Sequence, residues 1–156
     1  MGRALSPNLA TPMLSKLLLA WGLMALCVVI HASGVTFPMR WVRRHAARSQ
    51  QFWVWTWLLI RLAGWMILLH LIEIFVWALF YAWQGAMPDI QSAFYFSSVT
   101  YTTTGYGDLV LPEEWRVLGG VEALTGILMC GLSTGFFFAV VSRMLESRTR
   151  SADPTE

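Results

Sequence analysis

Charge is scarce in this sequence. Only 13% of its 156 residues are Asp, Glu, Lys or Arg, about half the share found in soluble domains. With 56% hydrophobic residues, a water-soluble fold would be left with wide apolar patches and would aggregate. Cysteine is also rare. Cys27 and Cys130 are far apart and lie inside apolar stretches, so they read as small packing residues rather than a disulfide. The histidines, His31, His45 and His70, are scattered without metal-ligand spacing. No phosphate-binding loop, dinucleotide fingerprint or nucleophile elbow occurs. Catalysis is therefore not expected, and neither nucleic acid nor a small-molecule substrate is expected as a partner. What is abundant points to lipid: nine Trp and nine Phe, aromatic residues that favour membrane interfaces.

Residues 1–12 are polar, contain Pro7 and Pro12, and read as a flexible N-terminus. Residues 13–37 form an apolar run, followed by a basic loop over 38–50 with Arg40, Arg43, Arg44 and Arg48. That flank favours a retained transmembrane helix with its C-terminal end in the cytoplasm over a cleaved signal peptide. Residues 51–83 are apolar apart from Arg61, His70 and Glu73. As one helix they would extend about 50 Å, against ~30 Å of hydrocarbon. The stretch is therefore expected to divide into an interfacial part, 51–60, and a crossing part from Arg61 to Trp83, with Arg61 snorkelling to the headgroups. Pro88 and Asp89 suit a helix start. The run 88–101 is too short to span and ends in a glycine-rich turn, the profile of a re-entrant helix. A last span covers 116–145, and the polar tail 146–156 is expected to be disordered.

Charge placement fixes one orientation. Arg40, Arg43, Arg44, Arg48, Arg143, Arg148 and Arg150 fall on the cytoplasmic side, seven of the eleven basic residues. Asp89, Asp108, Glu113 and Glu114 fall outside, with Arg116 as the only base expected there. The expected location is the cell's inner (plasma) membrane, multi-pass, N-terminus outside and C-terminus cytoplasmic. An acidic outer mouth concentrates cations.

The segment Thr102-Thr103-Thr104-Gly105-Tyr106-Gly107-Asp108 joins the short helix to the last span. A cation can shed water in a narrow pore only if oxygens replace its hydration shell. Carbonyls of Thr103, Thr104, Gly105 and Tyr106, with the Thr103 hydroxyl, would supply them, and Gly105 and Gly107 would relax the backbone. One chain supplies one wall, so four copies are needed to close each site. The negative end of the preceding helix would favour a cation in the cavity.

These residues resemble the potassium-channel pore domain. The family's filter, Thr-Val-Gly-Tyr-Gly followed by Asp, matches Thr103–Asp108 at all but one position, Thr104 standing for Val. Residues 94–102 resemble the family's pore helix, and Glu122-Ala123-Leu124-Thr125-Gly126 resembles the inner-helix segment that ends in a hinge glycine. The match covers roughly residues 72–145. It implies an all-α membrane protein: three transmembrane helices plus a re-entrant pore helix and selectivity filter, assembled as a homotetramer in the bilayer, with an outer helix over 51–83, a pore helix over 88–101, a filter over 103–107 and an inner helix over 116–145. It further implies K+ as the permeant ion, held at Thr103, Thr104, Gly105, Tyr106 and Gly107. Tyr95 and Phe96 would join an aromatic cuff around the filter, supported by Asp108, and Gly126 would be the hinge, with Gly131 and Gly135 as alternatives and close helix packing as the other role for any of them. The first span holds no regular Arg ladder, which argues against a voltage sensor.

Other residues carry further expectations. Glu122 is expected to reach behind the filter towards the Thr104 hydroxyl, with a neighbouring backbone amide or Arg116 as its alternative partner. Cys130, Thr134 and Phe137 follow Gly126 at helical spacing; Phe137 is a candidate gate, with core packing as its alternative. His70 and Glu73 lie one turn apart inside a span, either as a pair bracing the outer helix or as a pH sensor. The expected function is passive potassium conduction. The rivals are a weakly selective monovalent cation channel, if Thr104 loosens the filter, and a non-conducting accessory pore subunit.

Overall fold

In a computed structural model, residues 7–45 and 52–152 are described, with side-chain burial for 13–36 and 53–146 except Met144. Four α-helices follow one another: α1 (Pro7–His45), α2 (Phe52–Trp83), α3 (Ile90–Tyr101) and α4 (Arg116–Ala152), with a short 3-10 turn at Glu113–Trp115 before α4. Among the described residues there are no strands. Three stretches are long and apolar enough to cross a membrane: Met13–Thr36, Trp53–Trp83 and Glu113–Arg143. At 12 residues, α3 is about 18 Å long, too short to cross.

Each long helix buries a stripe whose members recur after three, four or seven residues, the signature of one inward face. On α1 the stripe includes Ala20, Cys27 and His31; on α2 it is Trp55, Leu58, Leu62, Met66, Leu69, Glu73 and Trp77; on α4 it is Leu118, Glu122, Thr125, Met129, Ser133 and Val140. In lipid, apolar side chains gain little by leaving acyl chains for each other. Close packing and polar ties between helices therefore carry the assembly. α1 lies against both α2 and α4, and α3 is held between α2 and α4. The main core joins Trp77, Tyr81, Phe96, Tyr101, Leu118 and Met129, with Tyr81 and Phe96 edge to face at 5.5 Å.

Several boundaries differ from expectation. The N-terminus is helical from Pro7, a residue suited to the first helical position; residues 1–6 lie outside the described residues. α1 also runs through much of the expected basic loop, to His45. Pro38 cannot donate to the Gly34 carbonyl four residues back, but the Trp65 indole N–H donates to that oxygen at 2.9 Å. Arg48 and residues 46–51 lie outside the described residues. α2 is continuous, because its buried stripe runs past Arg61 without a change of phase. α4 extends through the expected tail to Ala152, with basic residues near its negative end; residues 153–156 lie outside the described residues.

Candidate functional site

α3 positions the segment that follows it. Its start is fixed by Asp89, which caps the helix rather than opening it: Oδ1 accepts from the Ser92 amide at 2.7 Å and Oδ2 from the Ser92 hydroxyl at 3.0 Å. These bonds hold the Asp89 carboxyl below the usual carboxylate range. At the other end the Thr102 hydroxyl donates to the Ser98 carbonyl at 2.7 Å.

Beyond Thr102 the backbone alternates. Thr103, Gly105 and Gly107 have φ of +59°, +52° and +78°, whereas Thr104 and Tyr106 stay on the negative side. The left-handed region thus recurs at every second position of the segment. The left-handed region costs an ordinary residue roughly 1–2 kcal/mol, more readily accepted at the two glycines than at Thr103. The strained Thr103 is anchored to α3: its amide donates to the Thr100 carbonyl at 2.9 Å, and the Gly105 amide donates to the Val99 carbonyl at 3.0 Å. Every residue from Thr102 to Asp108 is exposed on this chain.

The outer end is tied by Tyr95, whose hydroxyl donates to Asp108 Oδ2 at 2.7 Å. This donation holds the Asp108 carboxyl below its usual range and raises the Tyr95 phenol. Phe96 is buried against Tyr81. The Thr104 hydroxyl pairs with the Thr102 hydroxyl at 3.0 Å. Glu122 is fully buried as expected, but its Oε2 accepts from the Tyr81 hydroxyl at 2.9 Å rather than from Thr104, which already has a neighbour in its own segment.

Gly126 sits where α4 crosses the end of α3, and a Cβ there would overlap the Tyr101 carbonyl oxygen. Close packing thus accounts for this glycine. Cys130 and Thr134 are exposed, whereas Phe137 is half-buried against the cluster around Val140 and Met66. The next residue, Phe138, takes the open side at 72% exposure. Lys16 joins Arg116 at the start of α4: its Nζ donates to the Glu114 carbonyl at 2.7 Å and lies 5.1 Å from the Trp115 ring centre.

His70 and Glu73 belong to a larger cluster. His31 Nδ1 is 2.9 Å from Glu73 Oε1. The Tyr101 hydroxyl donates to Glu73 Oε2. His70 Nδ1 lies 3.1 Å from that hydroxyl and 3.6 Å from Oε2. Ser133 Oγ lies 3.0 Å from His70 Nε2 and 3.2 Å from His31 Nε2. Sequence reasoning missed His31, Tyr101 and Ser133. An ionisable residue on an otherwise apolar span needs a partner, so His31 and Glu73 were the signal available.

A family described as "Ion channel" matches residues 67–143. This match, together with the relatives below, supports a potassium-channel pore-domain family. Among curated relatives, the potassium voltage-gated channel protein Shal of Drosophila melanogaster is 35% identical over 86 residues, covering 51% of this chain and 15% of the relative. The A-type voltage-gated potassium channel KCND3 of Rattus norvegicus and that of Homo sapiens are each 31% identical over 86 residues, covering 51% of this chain and 13% of theirs. The chain thus spans only a small part of the length of these relatives. No solved structure matches it. This is an ion-channel family and not an enzyme family. The family match takes in the second part of α2, all of α3, the segment after it and α4 as far as Arg143. α1 lies outside the match, yet His31 joins it to the matched part.

Proposed function

We propose that four copies of this chain surround one axis and conduct potassium passively down its electrochemical gradient. Residues 103–107 would be the selectivity filter and α3 the re-entrant pore helix. The reading rests on one observation above all: the alternating backbone at Thr103, Gly105 and Gly107. Such a backbone offers a row of carbonyls to a dehydrated cation. A segment that is exposed along its whole length and anchored at both ends has the form of one wall of a shared site. The negative end of α3 at Tyr101 would add favourable potential below that wall. Asp89, Asp108, Glu113 and Glu114 would draw cations to the outer mouth. The three long helices fit an inner-membrane subunit with its N-terminus outside and C-terminus in the cytoplasm. The Thr102 partner of the Thr104 hydroxyl supports potassium selectivity, because that hydroxyl has a neighbour within its own segment.

The test is flux into liposomes carrying the purified protein. Potassium uptake that is blocked by barium, with little uptake under an equivalent sodium gradient, is the expected result. Equal sodium and potassium uptake would replace this reading with a weakly selective pore. A complete lack of flux from correctly inserted tetramers would make the chain an accessory subunit.

A further inference from the structure

The cluster behind the segment has more order than a brace between helices needs. His31, His70 and Glu73 come from two different helices, and one potential donor atom from each lies within 4.8 Å of the others. Glu73 is fully buried and His31 nearly so. Their arrangement has two faces. Both Nδ1 atoms and the Tyr101 hydroxyl converge on the Glu73 carboxylate. Both Nε2 atoms converge on Ser133 Oγ.

We propose that His31, His70 and Glu73 bind a first-row transition-metal ion, most suitably Zn2+, with the Tyr101 hydroxyl oxygen as fourth donor. Tetrahedral zinc holds nitrogen and oxygen donors at about 2.0–2.1 Å, which sets neighbouring donors about 3.3 Å apart. The 2.9 Å from His31 Nδ1 to Oε1, and the 3.1 Å and 3.6 Å from His70 Nδ1 to the Tyr101 hydroxyl and Oε2, straddle that value; the Tyr101–Oε2 contact is shorter, so the ion would draw those two oxygens apart. Two imidazoles and a carboxylate suit zinc, whereas magnesium and calcium favour shells of oxygen.

Ser133 completes the arrangement from the far side. A hydroxyl oxygen has two lone pairs, so it can accept from both Nε2–H groups at once. That would fix each ring with its Nδ1 lone pair turned to the metal, as outer partners do for ligating histidines. His70 is the least buried of the three ligands, so its edge is the way in. Because His31 lies outside the family match, the site depends on the additional helix. An ion held there would clamp α1 and α2 to the last residue of α3. The proposal rests on no step of the conduction reading.

The experiment uses the full-length protein, purified in lipid nanodiscs and stripped with a chelator. Co2+ serves as a spectroscopic probe and Zn2+ as its competitor. The expected result is one Co2+ per chain with visible bands of tetrahedral intensity, bleached by Zn2+. His31→Ala and Glu73→Gln should abolish the bands, while His45→Ala and Cys130→Ser should retain them. Ser133→Ala should keep the stoichiometry but weaken affinity about 10–100-fold. If the ligand variants fail to fold, wild type and Ser133→Ala decide, with a Zn2+-dependent rise in melting temperature as the second readout. Absence of saturable Co2+ and Zn2+ binding to the wild type, or unchanged binding in folded His31→Ala, overturns the proposal and leaves a cluster held by protons alone.

Discussion

Tyr95 and Asp108, 13 residues apart, are joined by a hydroxyl-to-carboxylate bond of 2.7 Å that ties the outer end of the segment back to α3. Tyr95→Phe removes the donor and leaves the ring. Its expected effect is a lower preference for potassium over sodium in liposome flux, with little change in tetramer yield.

The same bond sets a pH dependence. The Asp108 carboxyl is held below its ordinary value near 3.9, because the hydroxyl favours the charged form. The contact is therefore complete above the ordinary value and is lost only as pH falls through the depressed one. In Tyr95→Phe the carboxyl should titrate at higher pH. Carboxyl NMR of the side chain in the two proteins checks the direction.

Gly126→Ala should destabilise the fold. Helix propensity alone favours alanine by about 1 kcal/mol, but the new methyl group meets the Tyr101 carbonyl, and overpacking costs roughly 1–3 kcal/mol. Gly131, with nothing within 4 Å of a built Cβ, should accept alanine with an unchanged or higher melting temperature. Thermal melts of the two variants decide.

Tyr81→Phe leaves the buried Glu122 without the hydroxyl that donates to it. The expected loss is about 1–3 kcal/mol of stability. Glu122→Gln keeps an acceptor oxygen and should lose less. Chemical denaturation of both single variants and the double variant measures the coupling.

Phe137 and Phe138 should separate stability from conduction. Phe137→Ala removes half-buried packing and should lower stability by less than the ~3–5 kcal/mol of a fully buried Phe→Ala change. Phe138→Ala, on the open side of α4, should alter flux or barium block with a smaller effect on unfolding. The reverse pattern would return the candidate gate to Phe137.

The spans were legible because long apolar runs in a charge-poor chain permit few other readings, and the glycine positions from 105 to 107 announced an unusual backbone. Positive φ at Thr103 was not legible, since nothing in a threonine signals it; hydrogen bonds to α3 hold it there. The partner of Glu122 was not legible: its level in the last helix suggested the Thr104 hydroxyl, a backbone amide or Arg116, whereas helix packing brings Tyr81 across. The cluster around Glu73 was half visible. His70 is one turn away on the same helix, but His31 and Ser133 reach it only through the crossings of α1 and α4. The extent of α1 was hidden by the basic cluster from Arg40, which reads as a loop beyond the apolar run; that the helix also passes Pro38 depends on a tryptophan from another helix taking up the freed carbonyl.

The triple attachment of α1 has a practical consequence. It is moored by Lys16 at the Glu114 carbonyl, by His31 at Glu73, and by Gly34 against Trp65 and Leu69. Truncating the chain to imitate a minimal two-span subunit would open a trench along α2 and α4, with a carboxylate and a serine facing acyl chains. The first helix is therefore not a detachable ornament, and a shortened protein should come out of the membrane poorly assembled rather than merely smaller.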